Sequence, residues 1–148
     1  MINKKALIEF PGQEPITFDL SDLQINEANL NKALSEQPGK FAYVATLAAE
    51  ARAEREEAEH FLEIVRAEVD AVIRSGFDDT KKKPTEESIK KLVEISSEVK
   101  NSISDMSAWR KAELMLTAIM QAYSHRKDCA VALAANLRQQ FGNLDVDV

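Results

Sequence analysis

Residues 40–75 read KFAYVATLAAEARAEREEAEHFLEIVRAEVDAVIRS and contain neither glycine nor proline. Apolar side chains recur every three or four residues along this segment. Arg55 is the one long polar side chain that occupies a position in this series. The apolar positions are Phe41, Val44, Ala48, Ala51, Ala58, Leu62, Val65, Val69 and Val72. This spacing predicts a helix of roughly 50 Å with one apolar face, which Gly76 is suited to end. A helix of that kind needs a second long helix to cover its face.

The rest of the chain completes a helical domain over residues 26–142. The helices are expected at 27–36, 40–75, 85–103 and 105–141, with a basic linker at 77–84 and a frayed tail at 143–148. Asn26 and Thr85 are suited to cap the helices that follow them, and Pro38-Gly39 is expected to end the short first helix. The serine-rich stretch that closes with Ser104-Asp105 predicts a break between the last two helices.

The first 25 residues form an arm of different character. Two β-prone runs, 6–10 and 15–20, flank Pro11-Gly12, which is a turn signal. The pattern predicts a β-hairpin at 1–25. Because an isolated hairpin is marginally stable, we expect it to pack on a helix or on a neighbouring chain, and to act in assembly.

The fold class expected from these elements is mainly α, with long antiparallel helices paired like a helical hairpin or coiled coil. Two helices need only one apolar stripe each, yet further apolar residues lie off the main face, among them Phe61, Ile73, Trp109 and Met115. Their burial requires another surface, and other copies of the chain are the simplest source. The sequence therefore predicts a homo-oligomer.

Composition limits the function further. The chain has 148 residues, a formal net charge of −6, one cysteine and two histidines. These numbers predict a single domain without a disulfide framework or a Cys/His metal cluster, and no catalytic motif is present. His60 and His125 are interpreted as ordinary helix residues and Cys129 as a small core residue. We expect no enzyme activity, no cofactor and no metal. No run of 18 apolar residues is present, which predicts a cytoplasmic protein without a membrane partner.

The basic residues are bunched. Lys81, Lys82 and Lys83 lie in the linker, and Lys90 and Lys91 follow one to two turns into the next helix. Such a cluster, repeated in an oligomer, could neutralise several phosphates. Aromatic residues for base stacking are scarce beside it, so any nucleic-acid binding would be directed to the backbone and independent of sequence. For one chain alone, a solubilising loop remains the alternative.

The order of these features resembles the UvsY family of phage recombination mediators, which bind single-stranded DNA. The resemblance runs from Leu30 to Gln140. The first feature is a short helix that ends with Leu34-Ser35-Glu36-Gln37-Pro38. The second is a long Ala/Glu/Arg helix that begins at Phe41-Ala42-Tyr43. The third is a lysine-rich linker that leads into Lys83-Pro84-Thr85-Glu86-Glu87. Trp109 and a Leu/Met/Ala helix that contains Arg126 and Arg138 complete the resemblance.

The resemblance implies a ring-like homo-oligomer, hexameric or heptameric, that holds single-stranded DNA extended. It implies two protein partners, a RecA-like recombinase and a single-strand-binding protein, and a location in the host cytoplasm if the protein is phage-encoded. In the family a Lys-Ala-Arg-Leu-Asp-like run late in the first long helix is associated with DNA. The matching run here is 66–70, in which Arg66 provides the first base and Glu68 replaces the second. The replacement shifts the expected contact toward Arg74 and the linker lysines. The residues expected to contact DNA are Arg66, Arg74, Lys81, Lys82, Lys83, Lys90 and Lys91.

Two other classes of protein remain open from the residues. One is a structural helical assembly protein, such as a prefoldin-like chaperone or a phage scaffold. The other is a regulatory phage protein that binds one partner through its helical face. Neither needs the lysines to contact DNA.

Overall fold

The computed structural model of the chain describes residues 4–77 and 82–144. Its elements are β1 (Lys5–Phe10), β2 (Gln13–Asp19), α1 (Leu30–Ser75), α2 (Glu86–Ile95) and α3 (Ser97–Leu144), with two short 3-10 turns at Leu20–Leu23 and Glu27–Asn29. The expectation of a mainly helical chain with long helices and a short N-terminal hairpin is confirmed. None of the described helices is both long and apolar enough to cross a bilayer.

The helices α1 and α3 run antiparallel along most of their length. Gln37, near the start of α1, binds Tyr123 and Arg126, in the second half of α3. Arg55, at the middle of α1, binds Glu113 at 2.6 Å. The far part of α1, from Leu62 on, packs with the first residues of α3. Arg55, the polar residue that interrupts the apolar spacing of 40–75, is thus held by an ion pair between the two helices.

The first helix differs from the prediction at Pro38-Gly39. The sequence predicts a short helix at 27–36, separate from one at 40–75, and this break is wrong, because α1 continues through both residues. Proline removes one helical hydrogen bond, and the contacts of α1 with α3 maintain the helix across that gap. Gln37 is buried and donates from Nε2 to the carbonyl oxygen of Tyr123 at 2.6 Å. Asn26 caps the 3-10 turn before α1, through a reciprocal bond with Asn29.

The break between the last two helices lies at Ser96 and not at Ser104-Asp105, so the predicted helices 85–103 and 105–141 are wrong in their boundary. Ser96 is extended, at φ −62° and ψ 148°. Its N–H donates to the Val93 carbonyl oxygen at 3.1 Å, and its Oγ accepts from the Val99 N–H at 3.3 Å. One serine therefore ends α2 and caps α3. Continuing α3 through residue 104 buries Val99 and Ser102 against the other helices.

The predicted start and end signals hold elsewhere with small shifts. Thr85 caps α2, and its Oγ1 accepts from the Ser88 N–H at 3.2 Å. The helix α1 ends at Ser75, one residue before Gly76. At the other end, α3 continues past Gly142 to Leu144. The remaining residues of the predicted tail, 145–148, lie outside the described residues.

Two apolar cores stabilise the helical pair. The first, called here the hairpin core, lies where the β-hairpin packs on α1 and α3; its buried residues are Ile8, Phe18, Val44, Ala48, Ala51, Trp109, Ala112, Leu116, Ile119 and Tyr123. The second, called the α2 core, consists of Leu62, Val65, Ile89, Val93 and Val99. Helices α1 and α3 contribute to both cores. The hairpin completes the first core, and α2 completes the second.

The hairpin packs on the helices of its own chain. Ile8 is fully buried, Phe18 is 9% exposed, and the ring of Phe10 lies 6.0 Å from that of Trp109. The turn contains Gly12 at a φ of 70°, a conformation that side chains disfavour. Cys129, expected in the core, is exposed, because the neighbouring Ala130 takes the buried position in that turn.

Candidate nucleic-acid interface

The predicted DNA-contacting residues gather at the end of the molecule where α2 packs on α1. Arg66 and Arg74 lie on the last turns of α1, and Lys90 and Lys91 lie on α2. Between the two helices is a cleft of about 470 Å³, lined by both Arg66 and Lys90 as well as by Asp70 and Glu94. The structure thus brings bases from both helices to one cleft, together with acids.

Arg74 is the most strongly engaged of these bases. It donates two hydrogen bonds to the Glu86 carboxylate, at 3.0 and 2.7 Å, and a third to Asp70 Oδ2 at 2.7 Å. The bonds to Glu86 and then to Asp70 raise the pKa of Arg74, and the same pair lowers the pKa of Glu86 below its usual value. Arg74 therefore joins the end of α1 to the first turn of α2.

Arg66 and Lys91 also have acidic partners in the chain. Arg66 forms a fork with the Glu94 carboxylate, at 2.7 and 3.1 Å. Lys91 lies 2.9 Å from Glu87, one turn before it on α2. The ion pairs of these three bases are exposed to solvent, so a phosphate competes with the carboxylates only by displacing them.

Lys82, Lys83 and Lys90 differ from these three bases. All three are exposed, and none forms an ion pair with a residue that the structure describes. Lys81 lies outside the described residues. Among the bases predicted to contact DNA, the ones without an ion pair to a described residue are therefore lysines before and within α2.

Arg66 and Glu68 face different surfaces of α1. Arg66 lines the cleft toward α2, and Glu68 lines an apolar groove on the other side, toward α3. Residues two apart on a helix point in nearly opposite directions, which explains the separation. The acid at position 68 is therefore not part of the candidate interface.

That apolar groove is a feature that the sequence reasoning missed as a site. Its volume is about 590 Å³, and it lies between the end of α1 and the start of α3. Phe61 and Val72 line it and are 57% and 70% exposed. The signal was present in the surplus apolar positions Phe61 and Ile73, both of which line the groove.

A buried cluster at the opposite end was also missed. Arg126 is 6% exposed, and its Nη1 donates to Gln37 Oε1 at 2.9 Å and to the Ala33 carbonyl oxygen at 3.4 Å. Its guanidinium carbon lies 5.9 Å from the centre of the Tyr123 ring. This arginine is held inside the fold and is not presented to a ligand.

The described residues contain no group of three or more histidines, cysteines or acids placed to hold a metal ion. Comparison of the chain with protein-family models, with curated proteins and with solved structures finds no match.

Proposed function

We propose that this protein is a non-enzymatic recombination mediator. In this role it binds single-stranded DNA without sequence preference and helps to load a RecA-like recombinase onto DNA covered by single-strand-binding protein. The observation that carries the proposal is a set of exposed lysines: Lys90 lines the cleft that contains Arg66, and Lys82 and Lys83 precede α2 by a few residues. The resemblance to the UvsY family supplies the recombinase and the single-strand-binding protein as partners.

The ion pairs around the cleft support a division of roles among the bases. Arg74 binds two acids, Glu86 and Asp70, and so fixes α2 beside α1. With α2 held in place, Lys90 and the segment that contains Lys82 and Lys83 stay on one side of the molecule. The lysines then contact phosphates, while Arg74 is a positioning residue.

The interface is expected to be electrostatic. Phe77 is the aromatic residue closest in sequence to the lysines and is 40% exposed, so stacking contributes at most one base per chain. Lysines that bind phosphates release counterions from the DNA. For each phosphate neutralised, the logarithm of the binding constant falls by about 0.7 when the logarithm of the salt concentration rises by one unit. Binding should therefore be independent of sequence and steeply dependent on salt.

The test is a salt series with fluorescently labelled single-stranded DNA. Replacement of Lys81, Lys82 and Lys83 by alanine should weaken binding and flatten the slope by about 2 units for each chain in contact. The matched control removes three exposed charges from α3, in the variant Lys100→Ala/Arg110→Ala/Lys111→Ala, and should leave the slope close to that of the parent. Equal effects of the two variants would show only a general loss of positive charge, and the reverse result would move the interface to α3.

The second candidate function is a structural assembly or partner-binding protein without a DNA role. It is favoured by the ion pairs, since Arg66, Arg74 and Lys91 are each bound to acids of the same chain. In this case the parent protein would self-associate normally but would bind no single-stranded DNA even at low salt.

A further inference from the structure

The groove at the α2 end is an unfilled apolar surface. Its floor is formed by Val65, Val69, Val72 and Ile73, with Phe61 at one end. The α2 helix shares a buried core with Val65, and Val69 and Ile73 are partly buried against that core, whereas Val72 and Phe61 remain 70% and 57% exposed. Along α1 the groove extends from residue 61 to residue 73, which is about 18 Å of helix.

The rim of the groove is acidic. Glu68, Glu98 and Asp105 line it, and none of the three forms an ion pair with a residue that the structure describes. A polypeptide that fills this groove should therefore be apolar on the buried face, carry positive charge beside it, and lack acids.

The last part of α3 has these properties. Arg126 of α3 binds the carbonyl oxygen of Ala33 of α1, so these two residues lie opposite each other. Because the helices are antiparallel, Leu30, the first residue of α1, lies opposite a position near residue 130 of α3. Residues 131–144 therefore extend for about 20 Å beyond the start of α1. We call this segment the α3 overhang.

The α3 overhang has an apolar face with a base beside it. Leu133, Leu137 and Phe141 follow one another at intervals of four residues, and Phe141 is 67% exposed. Arg138 is exposed and lies one turn before Phe141. The segment from 129 to 144 contains no acidic residue.

We propose that the α3 overhang of a second copy of this chain occupies the groove. The two surfaces match in length, about 20 Å against about 18 Å, and in charge, because Arg138 meets an acidic rim. An amphipathic helix in an apolar groove is a common mode of recognition. A chain cannot fill its own groove, since some 36 residues of α1, or about 50 Å of helix, separate Ala33 from Val69.

This inference rests on the homo-oligomer that the sequence predicts and that accompanies the proposed function, and it adds the surfaces that meet. It is independent of the lysine interface, because Lys82 and Lys83 belong to neither the groove nor the overhang. The two proposals can therefore fail separately.

The first experiment compares two variants of the full chain by analytical ultracentrifugation. Phe141→Asp alters the overhang and Val72→Asp alters the groove; both positions are exposed, so the fold should persist in each. Each variant should sediment as a 16.5 kDa monomer at concentrations where the parent associates. The controls are Val131→Asp, on another face of the overhang, and Leu114→Asp, an exposed leucine at the middle of α3, and both should associate like the parent.

The second experiment mixes the two interface variants. Phe141→Asp retains an intact groove and Val72→Asp retains an intact overhang, so the mixture should form a complex that neither variant forms alone. Circular dichroism identical to the parent excludes unfolding as the cause of the monomers. Parent-like association of both variants, or a mixture that stays monomeric, would overturn the proposal.

A third comparison separates this proposal from DNA binding. The variant Lys81→Ala/Lys82→Ala/Lys83→Ala should associate like the parent, with the loss confined to its DNA salt slope. If it associates normally but binds DNA as the parent does, only the proposed function fails. If Phe141→Asp associates normally, only the groove assignment fails.

Discussion

The two cores of the molecule differ in how completely the third element covers the helical pair. In the hairpin core, Ile8 and Phe18 come from a two-stranded layer and pack beside Trp109 and Tyr123. In the α2 core, one helix of 10 residues covers a single side of α1 and leaves Val72 open on the other. The comparison teaches that the hairpin core is closed within a single chain, whereas beside the α2 core an apolar surface stays exposed, and lysines without an ion pair to a described residue lie at the same end.

The largest effect is expected in the hairpin core. Leu116 is fully buried, and Leu116→Ala should lower the free energy of unfolding by about 2–5 kcal/mol, because it leaves a cavity among large side chains. Leu114, two residues earlier on the same helix, is 63% exposed, and Leu114→Ala should change stability by less than about 0.5 kcal/mol. Denaturant unfolding measures both values. Similar losses in the two variants would mean that α3 presents a different face to the core.

The hairpin itself provides the next test. Ile8 is fully buried and its neighbour Leu7 is 51% exposed, although both lie in β1. Ile8→Ala should therefore destabilise the chain by about 2–4 kcal/mol, and Leu7→Ala should have little effect. If the hairpin serves assembly instead of the core, Leu7→Ala would reduce association and Ile8→Ala would not reduce stability. Thermal unfolding and sedimentation of both variants distinguish these outcomes.

A smaller effect is expected at the buried pair of Gln37 and Arg126. Gln37→Ala removes an acceptor from a buried guanidinium, whose Nε already lacks a partner among the described residues, and should cost about 1–3 kcal/mol. The double variant Gln37→Leu/Arg126→Met should recover most of this loss, since it removes both polar groups. Gln121→Ala, at an exposed position of α3, is the control. A double variant less stable than Gln37→Ala would show that Arg126 is needed for more than its bond to Gln37.

The smallest expected effect belongs to the α2 end and appears at acid pH. The hydrogen bonds from Arg74, and then its charge, lower the pKa of Glu86 below its usual value of 4.5. A depressed carboxyl pKa stabilises the fold fully above that usual value, and the contribution disappears as the pH falls through the folded pKa. As the pH falls from 6 to 3, the parent should therefore lose more stability than Glu86→Gln does, as measured by denaturant unfolding at each pH.

The matched control for this titration is Glu57→Gln, at an exposed acid that forms no ion pair with a described residue. Its pH dependence should follow that of the parent. A Glu86→Gln profile that also follows the parent would show that the Arg74 bridge does not contribute to the stability of the fold.

Much of the candidate interface was open to prediction from the sequence, but its electrostatics were not. Lys82, Lys83 and Lys90 are recognisable as a basic group, because like charges close in sequence remain close in space. The partners that α2 supplies to Arg66 and Arg74 were not recognisable, since Glu94 and Glu86 lie 28 and 12 residues away along the chain. Only the packing of α2 on α1 brings those carboxylates to the arginines.

The sequence by itself determined the features that depend on neighbours along the chain. The hairpin around Gly12, the caps at Asn26 and Thr85, and the helical periodicity of 40–75 all follow from local hydrogen bonds, backbone preferences and the 3.6-residue repeat. Tertiary contacts determined whether the backbone followed each local preference. Pro38 lies inside a helix because Gln37 and Ala33 bind α3, and Ser96 became the break because a helix continuing through residue 104 buries Val99. The preference of serine for a helix end is worth about 1 kcal/mol and an interior proline costs about 3 kcal/mol, and the combined contacts between distant residues exceed both.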